Sequence, residues 1–508
     1  LTRKDLAAAA AVSACAAALY LAFLSKCYVF EGLARAMPIE LGMFPGLFNG
    51  NYLAYGPVGA AFHGLLRMLG WDGLAVVSLQ MLDALIGAGG VGLYFIVLRR
   101  LGAERPLAAV WSAVLALSLA YWSWSTDAQN YIFSAFLLGL NFAFLVSSGS
   151  SETVPVWPAA LLQALAVTGH IVNLVFAVVP MRFMAASPRG TRMRRALLFL
   201  GPALALSACV YGLVLAFIVK PGGAVQALDW FWGSASVGHG RLHWHGSLGL
   251  GGLWTWAEMT LNILVSFLPG FQHPPASAWA APLSWAARSL CIGLWALLAL
   301  RWRRITGFSR LAAQACLLWL AAYALVFTSW EPGTMVYRVG DLIPLITLMF
   351  LAARTLSRRA GFGLGAMLAL LLGTGNFLAE IYPRSLATNN PLLERMGFIA
   401  GHTADSDWVA GEGGADELYI PSFAGRRPLV VGLFRDRLPE LRRRIDSLLA
   451  SGQGLCVPAH MLSEDPWRAF FQPYRAALVA EGPDGYALYR ITEERRGATG
   501  SVRRPGRP

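Results

Sequence analysis

Two glutamates, Glu31 and Glu40, stand nine residues apart in the segment CYVFEGLARAMPIELGMFPGLFNGNYLAYGP, directly after the first long apolar run of the chain. Apolar surroundings penalise the charged form of a carboxylate, which raises its pKa and makes it a better proton acceptor near neutrality. A glutamate so placed could take a proton from an acceptor hydroxyl or hold an amine. The competing reading is that both are carboxylates wetted by headgroups and water. Pro38 lies between them and interrupts a single helix, so the two need not share a face.

Three other stretches carry groups suited to chemistry. YWSWSTDAQNYIF holds Trp124, Asp127, Gln129 and Tyr131, and AVTGHIVNLVF holds His170. Asp127 is equally placed to cap the helix that follows it, and His170 to bond between two helices. GHGRLHWHG offers His239, His243 and His245; His243 and His245 have a spacing that a divalent metal could use. No acidic or cysteine ligand stands beside them, and a Gly-rich loop closing over a substrate is the competing reading. Trp230, Trp232 and Trp244 offer that loop stacking faces.

The elements that must position these residues are membrane helices. The 508 residues are 56% hydrophobic and 14% charged, with mean hydropathy +0.53, which points to an α-helical polytopic membrane protein. Apolar runs fall at about 6–25, 74–98, 106–125, 131–148, 156–170, 171–187, 196–219, 279–300, 311–329, 339–354 and 361–381, giving about 11 transmembrane helices. The arginines cluster at alternate ends: Arg3/Lys4, Arg99/Arg100/Arg105, Arg189/Arg192/Arg194/Arg195, Arg301/Arg303/Arg304/Arg310 and Arg354/Arg358/Arg359. By the positive-inside rule that side is cytoplasmic. The opposite side collects Glu31, Glu40, Asp72, Asp127, Asp229, Glu258, Glu331, Asp341 and Glu380. Carboxylates contribute little to orientation, so their gathering marks the outer face as the working face. The net charge of +13 belongs mainly to the membrane part, which excludes a nucleic-acid reading. The six cysteines form no CxxC pair and indicate neither a disulfide framework nor a zinc module.

The expected organisation is a transmembrane module over 1–383 with large outer loops at 26–73 and 220–278. YGPVGAAFHGLLRMLG in the first loop reads as an interfacial helix. A small soluble α/β domain over 384–492 follows, then a disordered basic tail over 493–508. In that domain NPLLERMGFIAGH and LPELRRRIDSLLASG read as helices, and DWVA, ELYIP, PLVVGLF, GLCVP and YALYRI as strands. With an odd number of spans the domain emerges on the outer side.

These motifs, in this order and on one side, resemble the GT-C superfamily of polytopic glycosyltransferases, which includes protein O-mannosyltransferases, aminoarabinose transferases and bacterial family-39-like enzymes. The matching elements are the acidic first loop with LFNGNYLAYGP, the Trp124–Asp127–Tyr131 element, the turn at His170, and WEPGTMVYRVGDLIPLI. Two departures stand out: the first-loop acid is Glu rather than the family's usual Asp, and Asn51 occupies a position often held by His. The resemblance implies transfer of a sugar, with inversion, from a polyprenyl-phosphate-linked donor to a glycan, lipid or protein acceptor on the extracytoplasmic face. A bacterial inner membrane, with its lipids as surroundings, is expected from the resemblance together with the Arg- and Ala-rich composition; no cofactor is expected as required, and a divalent metal is an option on the spacing of His243 and His245.

On this resemblance Glu31, Glu40 and Asp127 are the catalytic candidates, with Glu31 favoured as base. Asn51, Tyr55, Gln129, Tyr131 and His170 are candidates for substrate binding. The leaving phosphate needs cations, for which Arg338 and then Lys220 are the candidates among the outer basic residues Lys26, Arg35, Arg67, Lys220, Arg241 and Arg338. Snorkelling to headgroups is the competing role for both. The alternative function is a transporter or flippase for a lipid-linked or amphiphilic substrate, for which Asp83, a mid-span acid, is the supporting feature.

Overall fold

A computed structural model describes residues 1–149, 154–186, 189–232, 250–266, 279–330, 333–482 and 485–492. The chain divides into two units, Leu1–Asn389 and Asn390–Pro508.

The first unit is helical, and every apolar run anticipated from the sequence is helical in it. Eight helices, among the described residues, are long and apolar enough to cross a membrane. They are α1 (Arg3–Ala22), α4 (Ala75–Arg100), α7 (Asn130–Ser148), α10 (Arg192–Val214, prolonged to Val219), α13 (Ala280–Arg301, prolonged to Arg304), α14 (Gly307–Ser329), α15 (Leu342–Ala353, preceded by a 3-10 turn from Met335) and α16 (Arg358–Asn376, prolonged to Ser385). The remaining three runs are not straight spans. One is the pair α5 (Arg105–Leu117) and α6 (Leu119–Ser125), bent by 69°. The other two are short helices in tandem: α8 (Val156–Gly169), then Ile171–Met184, whose second half is α9 (Val178–Met184). Between the spans lie α2 (Phe30–Glu40), α3 (Tyr55–Met68), α11 (Ala224–Trp232) and α12 (Leu250–Asn262).

The bend between α5 and α6 has an identifiable support. Breaking a helix frees backbone groups that lipid cannot satisfy, so a break must be sewn to protein. The amides of Leu119 and Ala120 donate to the carbonyls of Leu264 and Ile263 at 3.0 and 2.9 Å. The Asn376 side chain donates to the carbonyls of Leu117 and Leu264 at 2.8 and 2.9 Å and accepts from the Ser266 amide at 3.0 Å. One asparagine on α16 thus holds three backbone groups of two other segments.

Pairings across the bundle sort to two opposite ends. At the arginine-rich end Arg99 and Arg105 meet the buried Asp5 at 3.0 and 2.8 Å, and Arg354 donates to the Leu101 carbonyl. At the other end Ser25 bonds to Thr126, Lys26 to Arg384, and Ala54 to Thr168 through their backbones.

The second unit carries a five-stranded sheet of order β2-β1-β3-β5-β4, with β1 (Trp408–Gly411), β2 (Arg427–Val430), β3 (Leu455–Pro458), β4 (Arg475–Glu481) and β5 (Ala487–Thr492). β1 lies parallel to β2 and β3, and β5 antiparallel to β3 and β4. The helix Leu438–Ala450 covers the sheet through Leu441 and Ile445, which share a core with Leu455, Val457, Trp467 and Phe471. Asn390 caps the helix Pro391–His402 by accepting from the amides of Leu392 and Leu393. Of ELYIP, expected as a strand, Glu417, Leu418 and Tyr419 instead end a short helix, Ala415–Tyr419, and Ile420 and Pro421 begin the helical turn that follows; Leu418, Tyr419 and Ile420 are all buried. β4 was missed because it is an edge strand, mostly exposed, and shows no apolar alternation.

Candidate active site

At the end of the first unit away from the arginine clusters, the head of α2 rests on the turn between α6 and α7. A Cβ at position 32 would lie 2.6 Å from the Ala128 carbonyl oxygen, so this approach requires glycine. It sets Glu31, the neighbour of Gly32, against the start of α7. There the Tyr131 hydroxyl donates to Glu31 Oε1 at 3.4 Å and lies 2.8 Å from the Tyr52 hydroxyl. With Tyr131 donating to Glu31, Tyr52 must donate to Tyr131, so two phenols in series point their protons toward one carboxylate. Burial pushes the Tyr52 phenol well above its ordinary range, which keeps its proton on.

The segment bearing Tyr52 is tied down by the turn after α8. Asn51 accepts the Ile171 amide on its carbonyl at 3.0 Å, and its own amide donates to the Asn49 side chain at 2.9 Å. Tyr52 then meets the His170 ring edge-on at 4.6 Å between centroids, and Tyr337 closes on both Tyr131 and His170 at 5.5 and 6.5 Å. His170 Nδ1 accepts the Val172 amide at 3.1 Å, which places the ring proton on Nε2. Nε2 is buried and has no hydrogen-bond partner among the described residues. His170 lines a small cavity of about 20 Å³ together with Tyr131, Asn173, Tyr323 and Tyr337. The cavity thus presents an unused N–H donor.

Arg35 follows Glu31 by one helical turn on α2. Its guanidinium lies 5.4 Å from the centre of the Tyr52 ring, and its buried Nε has no hydrogen-bond partner among the described residues. Sequence reasoning counted Arg35 among the outer cations and gave it no role. The available signal was its i+4 spacing from Glu31, which puts both on one helical face.

The other candidates are placed differently. Asp127 is fully buried and its Oδ2 accepts from Arg384 at 2.8 Å, while Oδ1 accepts the Ala128 amide at 2.9 Å. Arg384 also faces Glu380 at 3.6 Å and the Trp124 ring at 5.7 Å. Burial raises the Asp127 carboxyl to about 6 even though Arg384 pulls it down. Gln129 donates its backbone N–H to Asp83 Oδ2 at 2.7 Å, and its buried Oε1 has no partner among the described residues. Tyr55 lies apart from the Glu31 cluster: its hydroxyl donates to the same Asp83 oxygen at 2.7 Å, a structural bond inside the bundle. Glu40 is exposed and accepts the Ala75 amide at the first turn of α4, which makes it a helix cap and separates it from Glu31.

The two cation candidates sit in different surroundings. Arg338 is fully buried: it pairs with Asp341, donates to Thr260 Oγ1 at 3.0 Å and to the Trp256 carbonyl at 3.3 Å, and stacks on the Trp256 ring at 4.7 Å. These bonds use Nε and one N–H on each terminal nitrogen. Lys220 is exposed at the end of the helix that prolongs α10, in a left-handed conformation with φ of 49°. Trp230, expected to stack on a substrate, donates its indole N–H to the Phe48 carbonyl at 2.9 Å. His239, His243, His245 and Trp244 lie outside the described residues. Among the described residues no three His, Cys, Asp or Glu side chains come together as a metal site requires.

No family model and no curated protein matches the sequence. Three solved structures illustrate the structural likeness. ArnT from Cupriavidus metallidurans bound to undecaprenyl phosphate shares 14% identity over 95% of this chain and 97% of its own, with a TM-score of 0.46. The Archaeoglobus fulgidus oligosaccharyltransferase in the apo form shares 12% identity over 97% of this chain and 74% of its own, with a TM-score of 0.49. The oligosaccharyltransferase AglB from Archaeoglobus fulgidus, in complex with an inhibitory peptide and a dolichol-phosphate, shares 11% identity over 95% of this chain and 74% of its own, with a TM-score of 0.48. With scores below one half, the likeness adds no weight to the role of any residue.

Proposed function

We propose that this multi-pass membrane protein is a glycosyltransferase that moves a sugar, with inversion, from a polyprenyl-phosphate-linked donor to an acceptor hydroxyl or amine. The observation that carries the reading is Glu31 at the end of two serial phenols whose rings pack against His170, with a cation one helical turn away, at the end of the bundle remote from the arginine clusters. The reaction needs a base on the acceptor, a cation on the departing phosphate and neutral donors for sugar hydroxyls. Glu31 takes the acceptor proton as the acceptor oxygen or nitrogen bonds to the anomeric carbon. The bond from that carbon to the phosphate oxygen breaks, and the electron pair leaves on the phosphate beside Arg35. His170 Nε2–H and the Tyr52–Tyr131 pair hold sugar or acceptor oxygens. By the positive-inside rule this end is extracytoplasmic, where a lipid-borne donor reaches the site from the bilayer and a soluble nucleotide sugar does not. The corresponding setting is a bacterial inner membrane.

The transport alternative receives less support, because Asp83 accepts bonds from both Tyr55 and Gln129 rather than standing along a path. The deciding experiment measures sugar release from a polyprenyl-phosphate donor by the purified chain. Glu31→Gln is expected to lower turnover by about 100-fold or more, the range for loss of a general base, whereas Glu40→Gln keeps turnover. Full activity in Glu31→Gln would falsify the mechanism.

A further inference from the structure

The arginine clusters at 189–195 and 301–310 were read from the sequence only as orientation signals, yet the fold brings members of both to one cavity. It measures about 780 Å³ and is lined by Gly149 after α7, by Arg182 of α9 with Ala185 and Ala186 beyond it, by Arg192 at the start of α10, and by Phe308, Arg310, Leu311 and Gln314 of α14. Three guanidinium groups line it, and none of its lining residues is acidic among the described residues. Like charges gathered in one concave space repel each other unless an anion joins them.

Arg182 and Arg310 have identified anchors. Arg182 donates to the Gln314 side-chain oxygen, and Arg310 lies 4.8 Å from the Trp302 ring with a 3.4 Å bond to the Trp302 carbonyl. Their remaining N–H groups form planar forks of the kind that bind phosphate oxygens in pairs. Phe308, Leu311, Ala185 and Ala186 make the other wall apolar. A basic pocket with an apolar wall, set between the ends of membrane helices, has the chemistry of a lipid headgroup site.

We propose that this cavity binds the phosphate of an anionic phospholipid headgroup at the arginine-rich face, apart from the Glu31 site. If instead these arginines only anchor the protein to the interface, any headgroup suffices and none is recognised.

The test follows the melting temperature of the full chain in uncharged detergent during titration with dioctanoyl phosphatidylglycerol, dioctanoyl phosphatidylcholine or inorganic phosphate. Phosphatidylglycerol is expected to raise the melting temperature saturably, and phosphatidylcholine to leave it flat. Arg192→Gln and Arg310→Gln should each weaken the apparent Kd by about fivefold, at roughly 1 kcal/mol per basic residue facing an anionic lipid, and Arg192→Lys should retain most of the response. A rise with inorganic phosphate as well as with the lipid supports the site and shows that the phosphate group alone is recognised. Equal responses to the two lipids, or an unchanged phosphatidylglycerol response in the double glutamine variant, overturn it.

Discussion

Arg384, at the end of the last membrane helix, reaches across 257 residues of sequence to the carboxylate of Asp127 at 2.8 Å. The carboxylate side chain is 1% exposed and the guanidinium side chain 13%. This pair fastens the turn that carries Gln129 and Tyr131 to the close of the first unit.

Removing either partner has unequal consequences. Arg384→Gln leaves a buried carboxylate uncompensated and is expected to cost about 3–5 kcal/mol. Asp127→Asn costs less, since Arg384 keeps Glu380 at 3.6 Å. The folded carboxyl titrates near 6, above its ordinary value of 3.8. Its contribution to stability is therefore complete below about 4 and falls as pH rises to about 6. Thermal unfolding between pH 4 and 7 checks this: the Arg384→Gln deficit should shrink at the acid end, and Asp127→Asn should flatten the wild-type slope in that window.

His170 offers a second test. Val172 fixes its tautomer, so His170→Phe removes the Nε2–H donor, and with it the acceptor of the Val172 amide, while keeping an aromatic ring beside Tyr52. A neutral hydrogen bond to substrate is worth about 1 kcal/mol, so kcat/KM for sugar transfer should drop about five- to tenfold. If the loss came from misfolding, the melting temperature would fall with it; an unchanged melting curve together with unchanged kcat/KM would remove His170 from the site.

Asn376 is the clearest structural prediction. Asn376→Leu removes the bonds to the carbonyls of Leu117 and Leu264 and from the amide of Ser266; the Leu264 carbonyl keeps the Leu119 amide, whereas the Leu117 carbonyl loses the Asn376 donor. At about 1–3 kcal/mol for a buried group that loses its partner, the variant is expected to lose about 1–3 kcal/mol, read from unfolding in detergent. Asn376→Asp keeps the bond from Ser266 but sets a carboxylate against two carbonyls, so it should not rescue.

Much of this protein was legible along the chain, because the properties involved are local. Twenty apolar residues in a row span a membrane wherever they stand, and arginines at alternate ends of such runs set their direction. Hence the positions of the apolar helices, the capped helix after Asn390 and most of the small sheet followed from composition and spacing. Where the local signal was thin the reading failed: ELYIP proved helical, and β4 went unseen on its exposed edge.

The roles of the polar residues belong to the tertiary structure. Pro38 was expected to interrupt the helix between Glu31 and Glu40, yet α2 runs through it and carries both; the close approach at Gly32 sets Glu31 against Tyr131, while the start of α4 captures Glu40. Arg338 looked like a free outer cation until Asp341, Thr260 and Trp256 surrounded it, and Arg35 had no role until Tyr52 came beneath it. Hydrophobic burial is summed along the chain, but a hydrogen bond needs its partner within about 3 Å. That partner comes from segments far apart in sequence, so only the packed bundle decides which charged group is spent on structure and which is left for chemistry.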